Sequence, residues 1–227
     1  MTGPVGEPAG GGLVLALDSA TDVPSFAVGT AADPGEDLRL DDRRALSRDI
    51  ERVVSSLLAA RGVRAADLTA VLVADGPGSF TGLRIGAAFA KGLSRALGVP
   101  LLTAPSLLGA AAHAARRSGR ALPVEVEVRY DALRGQCYRA IYRIAGEGVE
   151  EVAGPALASA APAGHGLPAG RMAADEAHAS AASLLNLLGR RGGPAAVGKP
   201  GSWEPSYGRP AEAEARRLAG TSGTPGA

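Results

Sequence analysis

One cysteine among 227 residues, Cys137, excludes an internal disulfide and fits a reducing compartment. It falls in a predicted strand, where it reads as a small buried hydrophobe. Histidine is nearly as scarce. His113, His165 and His178 are scattered, with no second histidine at metal-ligand spacing, so no metal site is expected. No apolar run approaches the length of a membrane span, and the N-terminus lacks a basic region followed by an apolar stretch. The expectation is a cytoplasmic protein with no membrane contact. A formal net charge of +1 implies no general attraction to nucleic acid. No lysine precedes Lys91, which excludes a Walker phosphate loop. No nucleophile–base pair stands out either, so no catalytic residue is nominated.

What is present centres on Gly76-Pro77-Gly78-Ser79-Phe80-Thr81-Gly82-Leu83-Arg84-Ile85-Gly86. This stretch closes an apolar strand, Ala70 to Ala74, and opens a long helix rich in small residues. Glycines there let the backbone bend sharply or pass close to something. Two readings fit. In one, Gly76, Gly78 and Gly82 leave amides uncovered at a helix N-terminus, where an anion or phosphate can sit, with Ser79 and Thr81 beside it. In the other, Ser79 or Thr81 simply caps the helix. The dinucleotide fingerprint is excluded, because Thr81 stands where its third glycine belongs.

Periodicity orders the rest. Leu13 to Leu17 reads as a strand ending in Asp18, and Ser25 to Gly29 as its hairpin partner. Asp18, Ser19 and Thr21 in the turn suit either turn capping or contact with an anion or nucleotide. Leu46, Ile50, Val53, Val54, Leu57 and Leu58 recur at helical spacing before Gly62. On the helix after the glycine motif, Gly86, Phe89, Ala90, Leu93 and Leu97 are expected to face a sheet. Arg84, Lys91 and Arg95 line the opposite side with Ala88 between them. The flank of Ile85, Ala88, Gly92 and Ala96 is small enough for a second helix to approach. It serves either as a partner surface or as packing for the Leu46–Leu58 helix. Strict alternation then sets Val124, Val126, Val128 and Tyr130 inward and Glu125, Glu127 and Arg129 outward, with a return strand through Ile144. Residues 147–170 show little periodicity, and Ala177 to Leu188 reads as helix.

The glycine string resembles the signature of the TsaB family, the partner subunits in bacterial tRNA threonylcarbamoyladenosine synthesis. The first hairpin and Asp131-Ala132-Leu133-Arg134-Gly135-Gln136-Cys137-Tyr138 also resemble family elements, as does Pro205-Ser206-Tyr207-Gly208-Arg209 near the end. Leu46, Leu133 and Gln136 depart from the family's usual histidine, arginine and glutamate. The resemblance implies an α/β fold of two RNase H-like lobes, of the actin and sugar-kinase type, with mixed sheets and flanking helices. Expected boundaries are a disordered 1–12, an N-terminal lobe over 13–104, a C-terminal lobe over 105–210 and a disordered tail over 211–227. It further implies a non-catalytic subunit that activates a TsaD-type catalytic subunit, with a TsaE-type ATPase joining. Pairing would run through Leu46, Ile50, Val53 and Val54 and through Arg84, Ile85, Ala88, Lys91, Gly92, Arg95 and Ala96. Such a chain has no cofactor of its own, with any ATP bound by the complex. It reaches tRNA mainly through that complex, and forms a homodimer when alone. The alternative is a small ATP-binding phosphotransferase of the sugar-kinase type, using Asp18, Ser19, Thr21 and Gly76 to Thr81 for phosphate.

Overall fold

The computed structural model describes residues 11–160 and 166–208. His165, Arg209, the 211–227 tail and all of 1–12 except Gly11 and Gly12 lie outside the described residues.

The hairpin forms as β1 (Val14–Asp18) and β2 (Ser25–Gly29), antiparallel with Ala16 opposite Ala27. A short β3 (Leu38–Arg39) borders β2. A 15-residue helix, α1 (Leu46–Ala60), buries the six apolar residues that the spacing marks out. β4 (Ala70–Ala74) lies parallel to β1 and leads into α2 (Phe80–Leu97). β5 (Leu101–Ala104) then runs parallel to β4, and α3 (Ser106–Arg117) follows.

Both faces of β1, β2 and β4 are buried, which is why they read as continuous apolar runs. Leu15, Leu17, Phe26, Val28, Val71 and Val73 meet α1 and α2 on one face. Val14, Ala16, Ala27, Ala70 and Leu72 join a cluster with α3 on the other.

The second sheet starts from β6 (Val124–Asp131) and β7 (Gln136–Ile144), an antiparallel pair. β8 (Val149–Ser159) extends β7 and supplies a long strand where the sequence showed little periodicity. β9 (Met172–Ala174) pairs parallel to β6. The predicted helix over 177–188 is shorter. A 3-10 turn at Glu176–His178 precedes α4 (Ala181–Leu185), because Ser180 caps the helix by accepting from the Ser183 amide. Leu184, Leu185, Leu187 and Leu188 are buried all the same. β10 (Ala195–Ala196) crosses back to pair with β5 at the edge of the first sheet.

The layers therefore run α1 and α2, first sheet, α3 and α4, second sheet. This is a mixed α/β architecture of two sheets with flanking helices. No described helix is long and apolar enough to cross a membrane.

Candidate functional site

The glycine motif and the first hairpin turn meet face to face. A Cβ on Gly78 would strike the Ala20 carbonyl, one on Gly82 the Ser19 carbonyl, and one on Gly86 the Ser19 hydroxyl. Of the three glycines first nominated, only Gly76 has a positive φ, at 103°. At Gly78, Gly82 and Gly86 the need is for close approach rather than for an unusual turn.

The amides expected to lie uncovered are largely taken. The Gly76 amide donates to Ser106 Oγ at 3.1 Å, and the Ser79 amide to the Ala20 carbonyl at 2.7 Å. Ser79 Oγ caps α2 by accepting from the Gly82 amide at 3.2 Å, and it also accepts from Arg43 Nη1 at 2.9 Å. Arg43 pairs with Asp22 at 2.9 Å, tying the start of α1 to the turn. Two loops that separately resemble phosphate cradles thus fill one another. The anion reading of Gly76, Gly78 and Ser79 gives way to a packing reading, because the space is occupied by this chain's own backbone. Thr81 is exposed on the far side of the helix start.

Asp18, Ser19 and Thr21 are buried beneath this joint. Thr21 Oγ1 bonds within its own turn, donating to the Val23 carbonyl at 3.1 Å. Asp18 Oδ1 accepts from the Ala20 amide at 3.0 Å, while Asp18 Oδ2 and Ser19 Oγ are buried without a hydrogen-bond partner among the described residues. Asp18 is 1% exposed. Burial pushes its carboxyl up to about 7; the Ala20 amide and Ser106 hydroxyl oppose that, and Asp37 and Asp75 reinforce it. Asp75, which is not among the residues the sequence singles out, directly follows β4 and is pushed up to about 6, again by burial. A strand-end aspartate beside a glycine turn was the available signal for it.

On α2 the buried face is Leu83, Gly86, Ala87, Ala90 and Ser94. Phe89, Leu93 and Leu97 are only partly buried, against the cluster that α1 shares with this face of the sheet. The two glycines that must abut Ser19 set the rotation of α2. Leu46, Ile50, Val53 and Val54 are buried in the chain's own core, so they do not form an open partner surface. Ile85 packs partly against that same cluster. Lys91 leaves the basic stripe altogether: its Nζ donates to the Trp203 carbonyl at 2.5 Å and lies 5.7 Å from the indole. Arg84, Ala88, Gly92, Arg95 and Ala96 remain exposed, and a Cβ on Gly92 would meet nothing within 4 Å.

The segment from Trp203 to Gly208 docks along the motif. The Ser206 amide donates to the Asp75 carbonyl at 2.7 Å, and the Ser206 carbonyl closes over Gly76. Tyr207 packs against Phe80 with ring centroids 4.7 Å apart and ring planes tilted by 44°, and Arg84 lies 5.4 Å from the same Phe80 ring.

Elsewhere, the fold strings Asp37, Ser180, Ser183 and His113 into one polar chain. Ser180 donates to Asp37 Oδ2 at 2.6 Å, and Ser183 Oγ lies 3.4 Å from His113 Nδ1. Both serines are buried, and Asp37 also accepts from the Ala182 amide at the start of α4. The arrangement anchors a helix and does not present a nucleophile. An open cleft of about 310 Å³ lies among Arg129, Asp131, Asp175 and Glu176. Among the described residues no group of three His, Cys, Asp or Glu side chains is placed to hold a metal ion.

Comparison with known proteins bears directly on this geometry. Residues 42–188, more than half of the chain, match the family model described as "TsaD: tRNA N6-adenosine threonylcarbamoyltransferase". The tRNA threonylcarbamoyladenosine biosynthesis protein TsaB of Escherichia coli (strain K12) is 32% identical over 130 residues, covering 57% of this chain and 54% of that protein. The chain thus spans about half the length of that relative. An uncharacterized protein of Mycobacterium tuberculosis is 34% identical over 193 residues, covering 84% of this chain and 85% of its own. The solved structure of YeaZ from Pseudomonas aeruginosa superposes with a TM-score of 0.67 at 25% identity, covering 78% of this chain and 91% of that one.

The chain belongs to the TsaB/YeaZ family. Its fold is accordingly of the actin and sugar-kinase type. The glycine motif of this TsaB/YeaZ chain is a close-packed joint, with α2 set on it and the face of α2 away from the sheet exposed among the described residues.

Proposed function

We propose that this chain is a non-catalytic subunit that binds and activates a TsaD-type catalytic subunit for N6-threonylcarbamoylation of the tRNA adenosine next to the anticodon. The observation that carries the reading is the joint itself. Loops that would have to stay open to cradle phosphate are packed into each other, while the outward face of α2 is left with Arg84, Ala88, Gly92, Arg95 and Ala96 exposed. A helix edge of small residues admits another helix closely. The family model matching this chain describes the transferase itself, so the partner would share much of its fold and meet it in a near-symmetric pair. The chain alone would then form a homodimer through the same face.

On this reading the chain acts in the cytoplasm and stabilises the active arrangement of its partner by binding that state preferentially. It needs no cofactor of its own; ATP is bound by the assembled complex, with a TsaE-type ATPase joining it. tRNA phosphates are met mainly by the partner, in line with a net charge of +1.

The test is a threonylcarbamoyl-transfer assay with this chain and the TsaD-type subunit of the same genome, separately and mixed. Modification that requires both chains supports the reading, and full modification by the partner alone overturns it. Nucleotide titration of the isolated chain addresses the phosphotransferase alternative, which requires tight ATP binding with turnover.

A further inference from the structure

The sole tryptophan of the chain, Trp203, opens a strap that is anchored to α2 at two points. Its carbonyl is held by Lys91, and four residues later the Tyr207 ring packs against Phe80. Phe80 and Lys91 are eleven residues apart, about 16 Å along a helix. The extended strap from Trp203 to Tyr207 covers about 13 Å, and the side chains span the remainder. The strap therefore runs antiparallel to α2 along one flank. α1 contacts α2, and Ile85, Phe89 and Leu93 on the other flank are partly buried against the cluster that holds the α1 residues.

Between these two walls the floor is the exposed strip of Ala88 and Gly92, with Arg84 and Arg95 on it. Neither arginine has an ion pair among the described residues. Two cations with no ion pair among the described residues, on a floor of small residues, suit an occupant with carboxylates on a helix. Phe80 is 47% exposed, yet its ring is already approached by both Tyr207 and Arg84, so it serves as wall material and not as a free stacking face for a nucleobase.

We infer that the Trp203–Gly208 strap is part of the pairing surface, forming with α1 a two-walled groove on α2 that receives an acidic helix of the partner subunit. The inference rests on the pairing proposed above and adds a distant segment to it. Apart from Lys91, the pairing residues expected from sequence lie on α1 and on the exposed and α1-facing sides of α2. The strap adds a wall on the opposite flank.

The experiment uses the full chain with 5-fluorotryptophan at Trp203, titrated with the unlabelled TsaD-type subunit. Pairing is followed separately by size-exclusion chromatography. A shift of the single fluorine resonance, saturating with complex formation, is expected, because Trp203 lies at the rim of the groove. Complex formation with no change in the resonance overturns the strap proposal and leaves the pairing intact. No complex at all overturns both. Ser206→Pro supplies a second arm, since it removes the amide that bonds the Asp75 carbonyl and frees the strap. With the melting transition retained, its affinity for the partner is expected to fall at least tenfold. Unchanged affinity in a variant whose fluorine signal shows a released strap also overturns the proposal. If a single-stranded RNA oligonucleotide, and not the partner, moves the resonance, the groove is a nucleic-acid site and the inference fails.

Discussion

At the scale of single residues, the joint between hairpin turn and glycine motif contains a carboxyl group in the wrong place for a charge. Asp18 titrates near 7 in the folded chain and near 3.8 when unfolded. Between those values the unfolded state releases its proton first, so folding stability falls as pH rises from about 4 to 7 and then levels off. Asp75, raised to about 6, adds in the same direction. Asp18→Asn is expected to flatten that slope and to raise stability at pH 8 by up to about 4 kcal/mol, read from urea unfolding across pH. A variant with an unchanged pH profile would show that Asp18 is solvated in solution.

The glycines divide by what surrounds them. Gly82→Ala drives a methyl into the Ser19 carbonyl and is expected to cost about 2 kcal/mol or more. Gly92→Ala has open space around it on an exposed helix and is expected to stabilise by about 0.5–1 kcal/mol. Thermal melts of the two variants should move in opposite directions.

At the scale of elements, the outward side of β6 is less exposed than its alternation suggests. Glu127 is 3% exposed and sits in a ladder of arginines. Arg129 Nη2 and Arg139 Nη2 each lie 2.6 Å from it, and Arg171 lies at 3.8 Å. Burial pushes Glu127 up, but its arginine partners outweigh that and hold it below the usual carboxylate range. Arg171 and Arg143 likewise lower Glu125. The ladder's contribution is thus present above the ordinary carboxylate range and is lost as pH falls through the lowered values, opposite in sign to Asp18. Glu127→Ala leaves two arginines without their shared partner and is expected to cost about 3 kcal/mol in equilibrium unfolding. At the far end of the same hairpin, Leu133 and Arg134 both adopt positive φ, at 62° and 54°, and Leu133 is 69% exposed. Leu133 stands where the family usually has arginine, and nothing in the fold explains the exchange.

At the scale of the molecule, the proposed pairing through α2 has a specific signature. Gly92→Leu adds bulk to the exposed face without touching the core, so the chain should fold normally yet lose partner binding and self-association by size-exclusion chromatography. If Arg84 and Arg95 meet carboxylates, affinity for the partner should fall steeply with salt in the absence of tRNA. Normal pairing by Gly92→Leu would move the interface elsewhere.

Local pattern was enough for the boundaries of β2, the six buried residues of α1, the start of α2 and the inward side of β6, because each depends on periodicity and capping within a few residues. The glycine string was enough for the family. Pattern could not reach the rotation of α2, which depends on Gly82 and Gly86 abutting Ser19 some sixty residues earlier in the chain. Nor could it reach β10 or the strap, whose anchors at β5, Asp75 and Lys91 lie about a hundred residues away. The uses of Asp18, Lys91 and the α1 residues were decided only by which surfaces came to face each other. A glycine reads the same whether it leaves room for a phosphate or for a neighbouring carbonyl, and tertiary packing alone chose the carbonyl.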